Sequence, residues 1–172
     1  KDKSLIAAGH SYQTQEPAIT ITMNGIIKQK SFKKNARIGD LIYLSKPLGT
    51  GYLLAAYYKN STLINSQDFH SLKNFLTLSN KTASEIALKN DCQAMTDISG
   101  FGLASHLSDI CNSSNLTADV LINEEILINK NRSLIENYES TGYKNNYLSS
   151  SNSLHINRYS SLLNILFDPQ TN

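Results

Sequence analysis

Apolar residues recur along the chain in two kinds of spacing, which predict strands and helices respectively. Alternating or continuous apolar runs predict strands at residues 18–27, 41–44, 92–95 and 116–122. Helical spacing predicts helices at residues 47–58, 68–89, 103–113, 129–139 and 159–166. The polar stretch 140–157 is expected to form a loop. Because strand and helix patterns interleave, the sequence predicts an α+β domain, a mixed sheet with helices packed on it.

Composition narrows the class of protein. The chain has 172 residues, with 16 Lys and Arg against 14 Asp and Glu, so bulk charge does not favour nucleic-acid binding. No apolar run reaches the 18 residues that suggest a membrane span. The two cysteines form no Cys-x-x-Cys pair, so we expect a reduced, cytoplasmic protein. The chain starts at Lys1 without a methionine, and we interpret residues 1–172 as one domain of a longer protein.

The loop after the predicted strand 92–95 is the strongest local candidate for chemistry. Asp97 follows the end of that strand, where open α/β sheets bind ligands. Gly100 and Gly102 allow a sharp turn that exposes amides at the start of a helix. A carboxylate beside free amides suits a magnesium–phosphate ligand. The alternative is structural, with Asp97 or Ser99 capping the following helix.

Other segments carry weaker signals. Gly49-Thr50-Gly51 suggests a phosphate cradle but lacks the P-loop spacing, and helix initiation after Pro47 is the alternative. Ala8-Gly9-His10-Ser11 offers a flexible backbone and an imidazole. His106 is interpreted as a partly exposed structural residue of the helix after Asp97. The chain contains no GxSxG, HExxH or nucleophilic Cys–His signature.

Four segments together resemble a known enzyme family. Residues 94–103, AMTDISGFGL, resemble the A-x-T-D-V-T-G-F-G-L motif of the selenide, water dikinases, or selenophosphate synthetases. Residues 44–51 are similar to that family's L-T-K-P-L-G-x-G, and residues 166–171 resemble its L-x-D-P-Q-T. Residues 8–11 fit its G-G-H-[ST] loop. Order and spacing agree from residue 8 to 171, so the chain resembles the family's C-terminal domain, of the aminoimidazole ribonucleotide synthase-like fold.

The resemblance implies an activity for the complete protein. The family makes selenophosphate, AMP and phosphate from ATP, selenide and water, with Mg²⁺. The third of its metal-binding aspartates falls on Asp97, and its nucleotide-contacting loop falls on Ala8, Gly9 and His10. In the family that loop reaches the ATP of the partner in a homodimer. The reactive Cys or selenocysteine and the essential Lys belong to an N-terminal half, so this piece holds no catalytic residue and is expected to be inactive alone.

Some positions depart from the family pattern. Ala8 replaces the first glycine of the nucleotide loop, and Ser99 replaces a threonine while keeping its hydroxyl. Residues 141–146 stand where the family has G-G-T-x-x-N, with one glycine lost and Tyr143 in place of threonine. These departures leave two alternatives open: a non-catalytic binding or assembly domain, or a related ATP-dependent enzyme of the superfamily.

Overall fold

The computed structural model describes residues 5–26, 33–129, 132–157 and 159–170. Six α-helices follow one another in this part of the chain: α1 (Thr50–Lys59), α2 (Ser66–Thr77), α3 (Lys81–Lys89), α4 (Gly102–Ser114), α5 (Arg132–Asn137) and α6 (Tyr143–Ser150). Four short 3₁₀ helices lie between or after them: Ser61–Leu63, Glu124–Ile126, Ser151–Ser153 and Ser161–Phe167. Among the described residues, none of the helices combines the length and apolar content needed to cross a membrane.

The predicted mixed sheet is not confirmed in the described residues. An isolated parallel bridge joins Leu48 and Leu127. The Leu48 amide donates to the Ile126 carbonyl at 2.7 Å, and the Ile128 amide donates to the Leu48 carbonyl at 2.9 Å. A strand exists only when a neighbouring strand takes up its amides and carbonyls, and residues 18–26 and 41–44 have no such neighbour here. Residue 27, the end of the first predicted strand, lies outside the described residues.

Many apolar side chains of the early part of the chain are exposed to solvent. Ile19, Ile26 and Ile38 are 88%, 92% and 92% exposed. Leu41 and Tyr43, in the second predicted strand, are 75% and 85% exposed. The described chain therefore does not by itself bury the apolar side chains of its strand-like segments.

The helix predictions are largely confirmed, with one division. Helix α1 matches the prediction for residues 47–58, and α4 matches the prediction for 103–113. The helix predicted over 68–89 is two helices, α2 and α3, separated at residues 78–80. Leu78 is extended, and the Ser79 hydroxyl accepts a hydrogen bond from the Lys81 amide at 3.2 Å. This local side-chain bond competes with continuation of the helix, which apolar spacing alone does not reveal.

Residues 140–157 differ from the prediction of a loop, because they contain α6. The Asn146 side chain, at the middle of α6, donates to backbone carbonyls of other segments, described below. The helix therefore depends on tertiary contacts, while its sequence lacks an apolar stripe. The last predicted helix, 159–166, is the 3₁₀ helix Ser161–Phe167.

The core lies between α1, α2, α5 and the 3₁₀ helix Ser161–Phe167. Its buried side chains are Leu48, Tyr52, Leu53, Ala56, Ile64, Leu72, Leu127, Leu134, Ile135, Leu162 and Ile165. Next to it, Ala104 of α4 packs against Leu166 and Phe167. The apolar stripe predicted for α4 from Leu103 to Cys111 is only partly buried, whereas Ala104 and His106 are buried. The carboxyl-terminal 3₁₀ helix thus joins both parts of the core.

Truncation of Leu53 tests this placement of the core. Leu53 is 0% exposed, and Leu53→Ala should lower the free energy of unfolding by about 2–5 kcal/mol. Leu121 is 88% exposed, so the matched control Leu121→Ala should change it by less than about 0.5 kcal/mol. Urea denaturation measures both. Equal losses in the two variants would contradict the burial of α1.

Candidate functional site

The carboxyl-terminal residues Asp168 and Gln170 complete the first turn of α1. Gln170 Oε1 accepts hydrogen bonds from the Gly49 amide at 2.9 Å and the Thr50 amide at 3.3 Å. Asp168 Oδ2 accepts from the Gly51 amide at 3.0 Å and from Gln170 Nε2 at 2.9 Å. The first amides of a helix have no hydrogen-bond acceptors within the helix. Here two side chains that are distant in sequence supply those acceptors.

These contacts decide between the two interpretations of Gly49-Thr50-Gly51. A phosphate cradle needs the amides at the helix N-terminus to face a ligand. All three residues are buried, and their amides donate to Gln170 and Asp168 instead. The Asp168 carboxyl occupies the position at which the helix dipole favours an anion. Helix initiation is therefore confirmed, and the phosphate-cradle interpretation is wrong.

Burial controls the ionisation of Asp168, which is 3% exposed. It raises the pKa of the carboxyl from the ordinary 3.8 to about 7. Hydrogen bonds from Gln170 and the Gly51 amide favour the charged form and act in the opposite direction. The pKa of the nearby Tyr52 is also raised, first by burial and then by the negative charge of Asp168. Asp168 is thus a structural carboxyl whose charge is costly.

The loop that carries Asp97 is held through Ser99. The Ser99 carbonyl accepts hydrogen bonds from the Gly102 amide at 3.0 Å and from the Gln170 amide at 3.1 Å. On its other side, the Ser99 amide donates to His106 Nε2 at 3.2 Å, and Ser99 Oγ lies 3.0 Å from the same nitrogen. Ser99 therefore joins the Asp97 loop to the carboxyl-terminal segment and to α4.

Asn146 holds the same loop from α6. Its Nδ2 donates to the Gly100 carbonyl at 2.8 Å and to the Phe167 carbonyl at 2.9 Å. Asn146 is 5% exposed, so both bonds are shielded from water. Tyr143, one of the departures from the family pattern, donates to Asn164 Oδ1 at 2.9 Å and contacts the Phe167 ring edge-on. The substitution at Tyr143 leaves the Asn146 contacts in place.

Gly102 allows the loop to enter α4 against the carboxyl-terminal segment. Its φ is +77°, a conformation that other residues rarely adopt. A Cβ there would lie 2.8 Å from the Leu166 carbonyl oxygen. The close packing of these two segments therefore requires glycine.

Among the described residues, the Asp97 side chain takes no part in these hydrogen bonds. It is exposed, and within the described residues no donor reaches its carboxylate. The N-cap of α4 is Phe101, with no side-chain cap bond, and the Ser99 hydroxyl faces His106. The capping alternative for Asp97 and Ser99 is therefore wrong. The structure presents a solvent-facing carboxylate on a loop whose backbone is held at the adjacent residues.

Other elements of the predicted site are not assembled in the described chain. Ala8, Gly9 and His10 are all exposed, and a Cβ at Gly9 would meet no atom within 4 Å. No three His, Cys, Asp or Glu side chains of the described part come together as a metal-binding group. Asp97 fits one position of a magnesium site as an exposed oxygen ligand, but a complete site needs further ligands.

Sequence reasoning missed the contacts that hold the site. His106 is 6% exposed, so its interpretation as partly exposed was wrong, and burial lowers its pKa. The signal for Asp168 and Gln170 in the sequence was their place in residues 166–171, which resemble the family's L-x-D-P-Q-T motif. Thr171 of that segment lies outside the described residues. Asn146 occupies the last position of the divergent segment 141–146. Apolar periodicity does not mark Asp168, Gln170 or Asn146, because they bind partners that are distant in sequence.

Substitution of Gly51 tests the packing of α1 against the carboxyl-terminal segment. A Cβ at Gly51 would lie 2.5 Å from Asp168 Oδ1 and 2.5 Å from the Pro169 carbonyl oxygen. Because that backbone oxygen cannot rotate away, Gly51→Ala should destabilise the protein by about 1–3 kcal/mol in urea denaturation. The matched control is Gly100→Ala, where nothing lies within 4 Å. A neutral Gly51→Ala would disprove the close approach.

The pH dependence of unfolding tests the burial of Asp168. Between pH 3.8 and about pH 7, the Asp168 carboxyl is more fully protonated in the folded state than in the unfolded state. This contribution to stability is therefore complete below 3.8 and is lost as the pH rises through about 7, by up to about 1.4 kcal/mol per pH unit. Asp168→Asn should remove this slope from urea unfolding curves measured across the window. An unchanged slope would contradict proton binding by Asp168.

Comparison with known proteins shows which family and which relatives the chain resembles. Residues 37–163 match the family "AIR synthase related protein, C-terminal domain". The chain is 35% identical over 116 residues to a selenide, water dikinase of Shewanella baltica, and 36% identical over 115 residues to one of Aeromonas hydrophila subsp. hydrophila. Each alignment covers 66% of this chain, but 32% and 33% of the relatives.

The chain thus spans about a third of the length of the curated relatives that it matches. These relatives confirm the resemblance seen in the motifs. The matched residues 37–163 include the Asp97 loop, α1 and α4, which are the elements joined by the hydrogen bonds described above. This match covers well over half of the chain, which therefore belongs to the AIR synthase related protein, C-terminal domain family.

Proposed function

We propose that this chain is the C-terminal domain of a selenide, water dikinase. The complete protein makes selenophosphate, AMP and phosphate from ATP, selenide and water. Asp97 supplies one ligand to Mg²⁺, and Ala8, Gly9 and His10 contact the nucleotide held by the partner in a homodimer. The selenide, water dikinases of Shewanella and Aeromonas support the class of reaction.

The observation that carries this proposal is the arrangement around Asp97. Its carboxylate is exposed and has no structural task among the described residues, while the backbone two residues later is held by His106 and Gln170. An oxygen ligand of a metal requires backbone support of this kind, because its position relative to the other ligands determines the affinity for the metal.

The proposed phosphate transfer requires carboxylate ligands that hold Mg²⁺. Bound Mg²⁺ neutralises the charge that develops on phosphate oxygens during transfer. This chain holds the backbone beside one metal carboxylate and leaves that carboxylate exposed to solvent, where a triphosphate can approach. It contributes no nucleophile: Cys92 and Cys111 are free thiols and match no reactive position of the motifs.

Further ligands and catalytic groups must then come from the remaining length of the protein. The alignments leave about two thirds of each relative unmatched. The exposed apolar side chains of residues 18–26 and 38–44 offer surface that such a region would cover. The exposed Ala8–His10 loop is likewise available to a nucleotide bound outside this domain. Both features support a domain that acts within a larger enzyme.

Replacement of Asp97 in the full-length protein tests the metal role. Asp97→Asn removes the negative charge but keeps the shape, and it should reduce the rate of selenophosphate formation by about 100-fold. Phosphorus NMR with ATP, Mg²⁺ and selenide follows selenophosphate, AMP and phosphate together. The matched control is Asp119→Asn, another exposed carboxylate, which should retain the parent rate. Urea midpoints should agree among the three proteins.

The same spectra separate the alternatives. Near-parent activity of Asp97→Asn removes Asp97 from the metal site. A well-folded parent that leaves ATP unchanged supports a binding or assembly domain. Turnover of ATP without selenide indicates a related enzyme of the superfamily.

A further inference from the structure

The hydrogen bonds of His106 determine which of its ring nitrogens carries a proton. Its Nε2 accepts from the Ser99 amide at 3.2 Å, and a backbone amide can only donate. Nε2 is therefore unprotonated, and a neutral ring has its proton on Nδ1. The Ser99 hydroxyl, 3.0 Å from the same nitrogen, must then donate to it as well. The ring thus presents one acceptor to both donors of Ser99.

The other ring nitrogen shows that this arrangement has a cost. His106 Nδ1 is buried and has no hydrogen-bond partner among the described residues. A buried donor without a partner costs about 1–3 kcal/mol. An apolar residue of similar size would avoid that cost within α4, yet it would leave the Ser99 amide without its acceptor. The contact with Ser99 is therefore the feature that distinguishes histidine from leucine at this position.

Ser99 transmits the position of His106 to the Asp97 loop. Its carbonyl accepts from the amides of Gly102 and Gln170, and among the described residues its amide donates to His106 only. Removal of the imidazole acceptor frees one side of the peptide that lies between Asp97 and α4. The edge of the Phe101 ring also contacts the imidazole, with ring centres 6.2 Å apart. The imidazole therefore contacts the loop at two residues, Ser99 and Phe101.

We propose that His106 is a positioning residue, which acts through the Ser99 amide to hold the Asp97 carboxylate at the geometry that a divalent metal requires. This inference rests on the proposed metal role of Asp97 and extends it to a residue beneath the loop. The imidazole touches neither metal nor substrate. Its contribution is the acceptor at Nε2, so a side chain that restores an acceptor at that place should restore the function.

Two variants of the full-length protein separate the acceptor from the volume of the side chain. His106→Gln places an amide oxygen near the position of Nε2, whereas His106→Leu fills similar space without an acceptor. His155→Leu is the matched control, because it makes the same substitution at an exposed histidine outside this network. Two measurements are made on each protein: amide hydrogen exchange of residues 96–103 without metal, and Mn²⁺ binding followed by electron paramagnetic resonance. Asp97→Asn is measured in parallel.

In His106→Leu, loss of the acceptor should speed hydrogen exchange at the Ser99 amide and weaken Mn²⁺ binding. Each change should be about tenfold, as expected for one net hydrogen bond. Both values should stay within about threefold of the parent in His106→Gln and in His155→Leu. Exchange in the second half of α4, residues 109–114, should be the same in all variants, which distinguishes local positioning from unfolding.

Other results overturn the inference in separable ways. Unchanged Ser99 exchange or unchanged Mn²⁺ binding in His106→Leu, with weakened binding in Asp97→Asn, rejects the positioning role and leaves the proposed function intact. Equal weakening in His106→Gln and His106→Leu assigns the effect to packing and also rejects it. Unchanged Mn²⁺ binding in Asp97→Asn rejects the metal role of Asp97, and the inference about His106 with it.

Discussion

The side chains of Asp168 and Gln170 form the contact on which the rest of this structure depends. They complete the N-terminus of α1, and the Gln170 amide binds the Ser99 carbonyl, so three distant segments meet at one place. The groups are buried, where an unpaired donor or acceptor is much more costly than one in water. Loss of one partner would leave several others unsatisfied, which makes the cluster cooperative. The 3₁₀ helix just before it, Ser161–Phe167, carries the apolar contacts to both parts of the core.

This cluster explains why Asp97 and Asp168 lie in different environments, although their two segments meet in the fold. Asp168 is buried among amide donors, and its raised pKa reflects the cost of keeping charge away from water. Asp97 remains exposed, while the peptide at Ser99 is held from below by His106 and from the side by Gln170. A rigid backbone under a solvent-facing carboxylate is the arrangement expected of a ligand supplied to a site that other parts of the protein complete. The structural carboxyl and the one proposed to bind a metal are distinguished by environment rather than by residue type.

The departures from the family motifs fall where this network tolerates them. Ser99 keeps the hydroxyl that contacts His106, and its amide and carbonyl bonds would be the same for any residue. Tyr143 gains a bond to Asn164 and contacts the Phe167 ring, while Asn146 retains both carbonyl contacts. These substitutions therefore preserve the support of the Asp97 loop. The exposed Ala8 lies in a segment that the described chain leaves without packing, and the network does not depend on it.

Apolar spacing was sufficient to predict α1 and α4, because the periodicity of a helix depends on residues close in sequence. It also predicted strands at residues 18–27 and 41–44, but a strand needs a neighbour, and periodicity does not show whether one is present. Helix α6 was missed because its stability comes from the contacts of Asn146 with Gly100 and Phe167. The roles of Asp168, Gln170 and His106 were decided only by tertiary structure. Their partners lie up to 121 residues away, and burial, which sets both their pKa values and the strength of their hydrogen bonds, exists only once the chain is folded.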